Sequence, residues 1–336
     1  MHRVKVIQQW LKEHPEVAPL LIESPVDLFY LTGEQVSKGS LLVSARDTPL
    51  LTVDARYTDR FKNSDLFRVS GELNLPDRVT VDSCYTSVQR SQELQKKTDV
   101  SFLPRMVETR WRKHKDSREI ERVKQASRLG DEIFREIEPL LKEGISEIEL
   151  VKSIKSLALD RGVELSFDPI VAFGPHTAIP HHSPTSRALE KGEIILIDFG
   201  CKYEGYCSDA TRLFSLGSIS EGMQSLVLRV VHAMERILSL CRPGTPIKKL
   251  CQVCHEALGE PLIHGLGHGV GLEIHEHPAL TPKSEEVLQS GMVLAVEPAL
   301  YRSGEGGARI EYQLCITEGG CENFFQPRQP YNRIEE

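Results

Sequence analysis

Residues 194–212, IILIDFGCKYEGYCSDATR, decide how the rest of the chain is read. Four consecutive aliphatics, Ile194 to Ile197, predict a buried strand, and Asp198 closes it. A second carboxylate, Asp209, follows across a turn containing Glu204 and Gly205. Burying an unpaired carboxylate beside so apolar a strand costs several kcal/mol. Unless this is simply a strand end at the surface, the pair needs cationic side chains or a metal.

The second half of the chain repeats itself. Ser146-Glu-Ile-Glu149 is a capping box after Gly144 and predicts a helix with Ile148, Val151, Ile154, Leu157 and Ala158 on its apolar stripe. Thr245-Pro246, after Gly244, predicts another N-cap with proline at the first helical position. From Ser146 to Thr245 is 99 positions, as from Gly192 to Gly291 and from Asp198 to Glu297. Equal offsets suggest two similar halves. A pseudo-twofold arrangement of them brings the strand-end acids Asp198 and Glu297 face to face.

Nitrogen ligands come from residues 264–278, HGLGHGVGLEIHEHP, which hold four histidines. Glycines at 265, 267, 269 and 271 argue against a helix, so His264 and His268 are not a helical i, i+4 pair. Along an extended chain these alternate glycines allow close approach of backbone or ligand. Arg309-Ile-Glu311 then sets a further acid in an apolar strand, 310–317. Asp198, Asp209, Glu297 and Glu311 together carry four negative charges, which two divalent cations neutralise. Oxygen donors with one imidazole suit Mn²⁺, Co²⁺, Zn²⁺ or Fe²⁺ better than a thiolate site does.

At 336 residues the chain is long enough for two domains. A net charge of −7 gives no basic footprint for nucleic acid or an anionic membrane. The local basic run Arg110 to Arg118 reads as a solvated linker and helix start. No apolar run approaches a membrane span and the first residues lack a signal-peptide core, so a cytoplasmic protein is expected. The eight cysteines read as free thiols, and Cys251-x-x-Cys254-His255 as helix core rather than haem or zinc site. Residues 1–107 read as an α/β domain with strands at 19–23, 40–44, 49–54, 67–69, 79–81 and 100–103, and helices at 4–14 and 87–97. A linker over 108–115 leads to a second domain, 116–336, opened by a long helix at Asp116.

These segments resemble the pita-bread metallopeptidases: methionine aminopeptidase, Xaa-Pro aminopeptidase, prolidase and the non-peptidase creatinase. IDFGCKYEGYCSDATRLF is similar to the family's two-aspartate signature, HGLGHGVGLEIHE to its histidine signature, and GMVLAVEPALY and GARIE to its two glutamate signatures. The resemblance implies an α+β pita-bread catalytic domain with a pseudo-twofold repeat, behind an α/β creatinase/prolidase-type domain carrying LLIESPVDLFYLTG. It implies two divalent ions, Mn²⁺ first among the four metals, on Asp198, Asp209, His268, Glu297 and Glu311, with Glu297 also handling the proton of the attacking water. His181 and His275 are then catalytic residues around the substrate, with His182 the neighbour set aside, and His264 and Arg309 bind substrate. The implied activity is an Xaa-Pro aminopeptidase on peptides with proline at the second position, with prolidase as the alternative and a non-catalytic peptide-binding module more remote. A homodimer or higher homo-oligomer goes with it. Three departures stand out. Tyr312-Gln313 follow Glu311 where the family has two aspartates, Ala299-Leu300 follow Glu297-Pro298, and Ala279 stands where some prolidases carry arginine.

Overall fold

Six short strands in the first hundred residues pair into one mixed sheet. In the computed structural model, which describes residues 3–62, 64–105, 107–325 and 331–335, its order is 68–70, 50–53, 39–43, 20–22, 78–82, 99–103. The strands expected at 40–44 and 49–54 form an antiparallel pair, with Leu41 opposite Leu51. Leu20–Ile22 lies between Gly39–Val43 and Arg78–Asp82, antiparallel to the first and parallel to the second. A helix at Pro25–Thr32 has no counterpart in the sequence reading. Ser24 caps it, Pro25 starts it and Gly33 ends it at φ 78°, signals hidden beneath a run of apolar residues. This unit ends at Arg112 and the second begins at Lys113.

The basic run is solvated only in part: Arg110 and Arg118 are exposed, whereas Arg112 and Lys115 are buried. Arg112 Nη1 donates to Asp27 Oδ1 at 2.8 Å, and both side chains are buried. Lys115 Nζ donates to Glu276 Oε1 at 2.6 Å, again with both buried. A charge this enclosed needs a partner distant in sequence, which composition does not reveal.

Asp116 caps the long helix Ser117–Ile137 through a capping box. The next box, Ser146 with Glu149, starts Glu147–Asp160. Its buried stripe runs through Leu150, Ile154 and Ala158, whereas Ile148, expected inside, is exposed. The second-half helix Ile247–Leu258 starts one residue later than expected. Pro246 takes the cap position, and Thr245 Oγ1 donates back to the Leu240 carbonyl instead of capping. Cys251 and Cys254 are buried in this helix, and all eight cysteines are free. No described helix is long and apolar enough to cross a membrane.

The repeat is visible in backbone hydrogen bonds. Leu189 N–H to Ile145 O recurs as Leu288 N–H to Thr245 O, and Gly192 N–H to Leu216 O recurs as Gly291 N–H to Ile316 O. Gly192 and Gly291 both sit in the left-handed region, at φ 81° and 85°. Each half supplies a sheet: 210–216, 194–199, 170–173 in the first, with the last strand 331–334 added beside 210–216, and 276–280, 267–269, 293–296, 312–317, 320–323 in the second. Ile194–Phe199 is buried on both faces. Ile195, Ile197 and Phe199 pack with Ile133, Leu150 and Ile154. Ile194 and Leu196 pack with Leu294, Val296 and Leu314 of the other half. Strand alternation therefore turns Asp198 towards the second half.

Ile154→Ala is expected to lower stability by about 2–5 kcal/mol, and Ile148→Ala to stay within about 0.5 kcal/mol. Denaturant midpoints of the full chain check this, and equal costs at the two positions would refute the observed stripe.

Candidate metal centre

Asp198 sits in a central strand, with Ile170 opposite on one side and Thr211 on the other. Asp209 lies just before the strand Ala210–Leu216, and its N–H donates to Gln313 Oε1 at 3.2 Å. Gln313 Oε1 also takes the Ser127 hydroxyl at 2.9 Å, and Gln313 Nε2 donates to the Cys207 carbonyl at 3.4 Å. One of the departures from the family pattern thus holds the Asp209 segment through an amide. His268 occupies the middle of Gly267–Gly269, opposite Ala295 and Ala279. A Cβ on Gly267 would collide with the Ala295 carbonyl, so that glycine lets two strands close together rather than admitting a ligand.

Glu297 directly follows Val293–Val296. Glu311 lies between Gly306–Arg309 and Tyr312–Thr317, not inside the strand expected for it. Its N–H donates to the Thr211 carbonyl at 3.1 Å, and its Oε2 accepts the Thr211 hydroxyl at 2.8 Å. Thr211 Oγ1 in turn accepts Arg309 Nε at 3.1 Å. Sequence reading passed over Thr211, whose part depends on partners a hundred residues away. Position 211, opposite Asp198 in a strand pair, was the one available signal.

Asp209, His268 and Glu311 offer ligand atoms within 4.8 Å of one another. Asp198 and Glu297 line the same cavity, of about 370 Å³, with His181, His275 and Arg309. His268 Nδ1 is 3.1 Å from the Gly269 carbonyl, which only accepts. Nδ1 therefore carries the proton, and Nε2, 3.7 Å from Asp209 Oδ2, presents its lone pair. Burial, with His275 close by, lowers the His268 pKa to about 4, so the ring is neutral.

The acids are pushed the other way. Burial, then repulsion from Glu311, Asp198 and Glu297, raises Asp209 well above the ordinary carboxylate range. Burial, then Asp198 and Glu297, does the same to Glu311. Glu297 rises to about 7, chiefly through burial. Arg309 Nη2 pairs with Asp198 Oδ2 at 2.6 Å, yet Asp198 Oδ1 is buried without a hydrogen-bond partner. An orphaned carboxylate oxygen, mutually repelling acids and a neutral imidazole form a donor set that fits divalent cations.

The remaining predicted residues fall into two places. His181 is exposed, and His275 stands edge-on to His268 with ring centroids 4.3 Å apart. His264 is not among the residues lining the cavity. Its Nε2 meets Tyr301 Oη at 3.2 Å, and Tyr301 Oη accepts Arg309 Nη1 at 3.0 Å. His264 is therefore linked to Arg309 through Tyr301. Arg309 itself uses four of its five N–H groups, on Asp198, Thr211, Tyr301 and the Pro180 carbonyl. A second group, Glu147, His176 and His182, also lies within 4.8 Å. The sequence showed Glu147 merely as part of a helix start.

Residues 121–318 match metallopeptidase family M24, and residues 3–110 match the creatinase/prolidase N-terminal domain. A Staphylococcus haemolyticus protein described as an uncharacterized peptidase is 30% identical over 345 residues, covering 96% of this chain and 98% of its own. The structure of an Xaa-Pro dipeptidase from Bacillus anthracis matches with a TM-score of 0.93 at 25% identity, covering 98% of this chain and 99% of that one. An X-Pro aminopeptidase from Thermotoga maritima matches at 0.87 and 29%, covering 99% and 100%.

Two outcomes are expected. Asp209→Asn and Glu311→Ala each remove charge from the cluster and should lose metal, measured as bound metal per chain after desalting. The folded chain also retains carboxyl protons that the unfolded chain has released. Without a cation, the acids' contribution to stability should therefore fall as pH rises from about 4.5 through about 7, opposed up to about 6.5 by His268, whose lowered pKa acts in the other direction. Mn²⁺ added to chelator-treated protein should raise Tm more at about pH 8 than at about pH 5.5, since binding displaces those protons. A pH-independent increment would contradict the raised proton affinities.

Proposed function

The chain belongs to metallopeptidase family M24, its pita-bread catalytic domain following a creatinase/prolidase N-terminal domain, and from that membership we propose an Xaa-Pro aminopeptidase. It cleaves the bond between an N-terminal residue and a following proline. The observation that carries this reading is the convergence of Asp198, Asp209, His268, Glu297 and Glu311 on one cavity beside His181 and His275. Those five residues would hold two divalent ions, Mn²⁺ first, with Co²⁺, Zn²⁺ and Fe²⁺ as alternatives. Such ions supply Lewis-acid polarisation of the scissile carbonyl and lower the pKa of water from about 15.7 towards about 7.

The side chains supply the rest. Glu297, whose carboxylate would also hold the ions, takes a proton from the attacking water and returns it to the leaving amine. His275, whose pKa burial lowers, is a neutral N–H donor for the carbonyl oxygen as charge develops there. His181, which lines the same cavity, is assigned to the scissile amide. Arg309 is an anchor rather than a substrate clamp, because it binds Asp198 and the carbonyl preceding His181.

The same commitment favours an aminopeptidase. A dipeptidase binds the free carboxylate after proline with a fixed cation, since a charge-assisted pair exceeds a neutral hydrogen bond. Among the described cavity residues Arg309 is the one arginine or lysine, and it is already engaged. The prolidase reading is kept because the Bacillus anthracis structure, an Xaa-Pro dipeptidase, matches over nearly the whole chain.

His181→Ala and His275→Ala are expected to keep metal while kcat falls about 10²- to 10³-fold. Loss of metal in either variant would reassign that histidine. For substrate length, kcat/KM on Xaa-Pro-Yaa should exceed that on Xaa-Pro with the same first residue. A dipeptide preference abolished by amidating the C-terminus would decide for prolidase.

A further inference from the structure

Glu147 is an acid that the chemistry above does not use. It is the first residue of its helix and is fully buried. Its Oε1 accepts the Phe173 N–H at 3.0 Å and His176 Nδ1 at 2.8 Å. Its Oε2 accepts His182 Nε2 at 2.9 Å, the Thr185 N–H at 2.8 Å and the Thr185 hydroxyl at 2.8 Å. Burial alone would raise its pKa. The bonds from His182, Thr185 and His176 outweigh burial and leave it below the ordinary glutamate value. Five donors saturate the lone pairs of a carboxylate, so the Glu147–His176–His182 group is closed without a cation.

These donors lie at both ends of one segment. Phe173 and Thr185 bracket the short 3₁₀ turn Gly174–Ala178 and then residues 179–184, with His181 among them. Both histidines must present N–H to Glu147, which fixes their tautomers. His182, next to His181, is thereby drawn inward and buried while His181 stays exposed. Arg309 holds the carbonyl on the other flank of His181.

We propose that Glu147 is a positioning residue: one buried carboxylate closes segment 173–185 into the conformation that presents His181 to the cavity. The catalytic part of this rests on the reading of His181 given above. Glu147→Gln tests it without changing side-chain shape. Whichever oxygen becomes the amide nitrogen, it meets a backbone N–H, of Phe173 or of Thr185, and donor faces donor.

The experiment uses the full chain reconstituted with Mn²⁺ and both Xaa-Pro and Xaa-Pro-Yaa peptides. In Glu147→Gln, amide hydrogen exchange across 173–185 should quicken and kcat fall by about 10²-fold, with KM and bound metal unchanged. The double variant with His181→Ala should be no slower than His181→Ala alone, because both changes remove one function. His176→Ala deletes a single donor at a partly exposed position, so it should shift exchange and kcat the same way by less, and it serves if Glu147→Gln does not fold. Unchanged exchange would overturn the proposal, as would an unchanged kcat where His181→Ala lowers it. If the chain cleaves neither peptide, or His181→Ala stays fully active, the functional reading fails and exchange alone decides whether Glu147 anchors the segment.

Discussion

Repulsion among four buried or half-buried carboxylates is the constraint on which the rest of the catalytic unit depends. Asp198, Asp209, Glu297 and Glu311 sit where water screens them poorly, and Asp198, Glu297 and Glu311 each raise the proton affinity of at least one other. Arg309, their one close guanidinium, pairs with Asp198 but leaves Asp198 Oδ1 without a partner. An apolar double sheet tolerates such a cluster if protons or divalent cations complete it. The family to which the chain belongs uses the second solution.

Holding the acids together takes both halves of the repeat. Asp198 and Asp209 come from the first sheet, His268 and Glu297 from the second, and Glu311 from between two later strands. Thr211 links them: its carbonyl and hydroxyl meet Glu311 while its hydroxyl also takes Arg309. Gln313 ties the Asp209 backbone to Ser127 on the long helix. Uncharged hydrogen bonds thus hold the acid-bearing segments in place, and the charge itself is left for protons or cations to balance.

A comparable division of labour surrounds the substrate side. His264 and Tyr301 support Arg309, and Lys115 neutralises Glu276 beside His275. Arg309 holds Asp198, Thr211 and the Pro180 carbonyl as well as Tyr301. A long cationic side chain such as Arg309 satisfies several acceptors at once, and when buried it has little freedom left for a ligand.

Much of this was legible from local signals. The helix start at Asp116, the capping box at Ser146, the apolar run Ile194 to Ile197 and the glycines preceding equivalent strands each act over a few residues. They led to the helices, the strands and the repeat without any fold. The four acids were recognisable as a set because charge beside apolar strands is costly wherever it occurs, whereas His268 was singled out among four neighbouring histidines by the family resemblance. Local signals also misled: Thr245 does not cap its helix, Ile148 faces outward, and a basic run taken for solvated buries Arg112 and Lys115. The tertiary structure alone decided that Thr211 joins Glu311 to Arg309, that His264 meets Tyr301, and that Glu147 gathers Phe173, His176, His182 and Thr185. Sequence determines what a segment prefers, because caps and periodicity are short-range. Hydrogen-bond partners for a buried polar group are set by which distant strands and turns pack beside it.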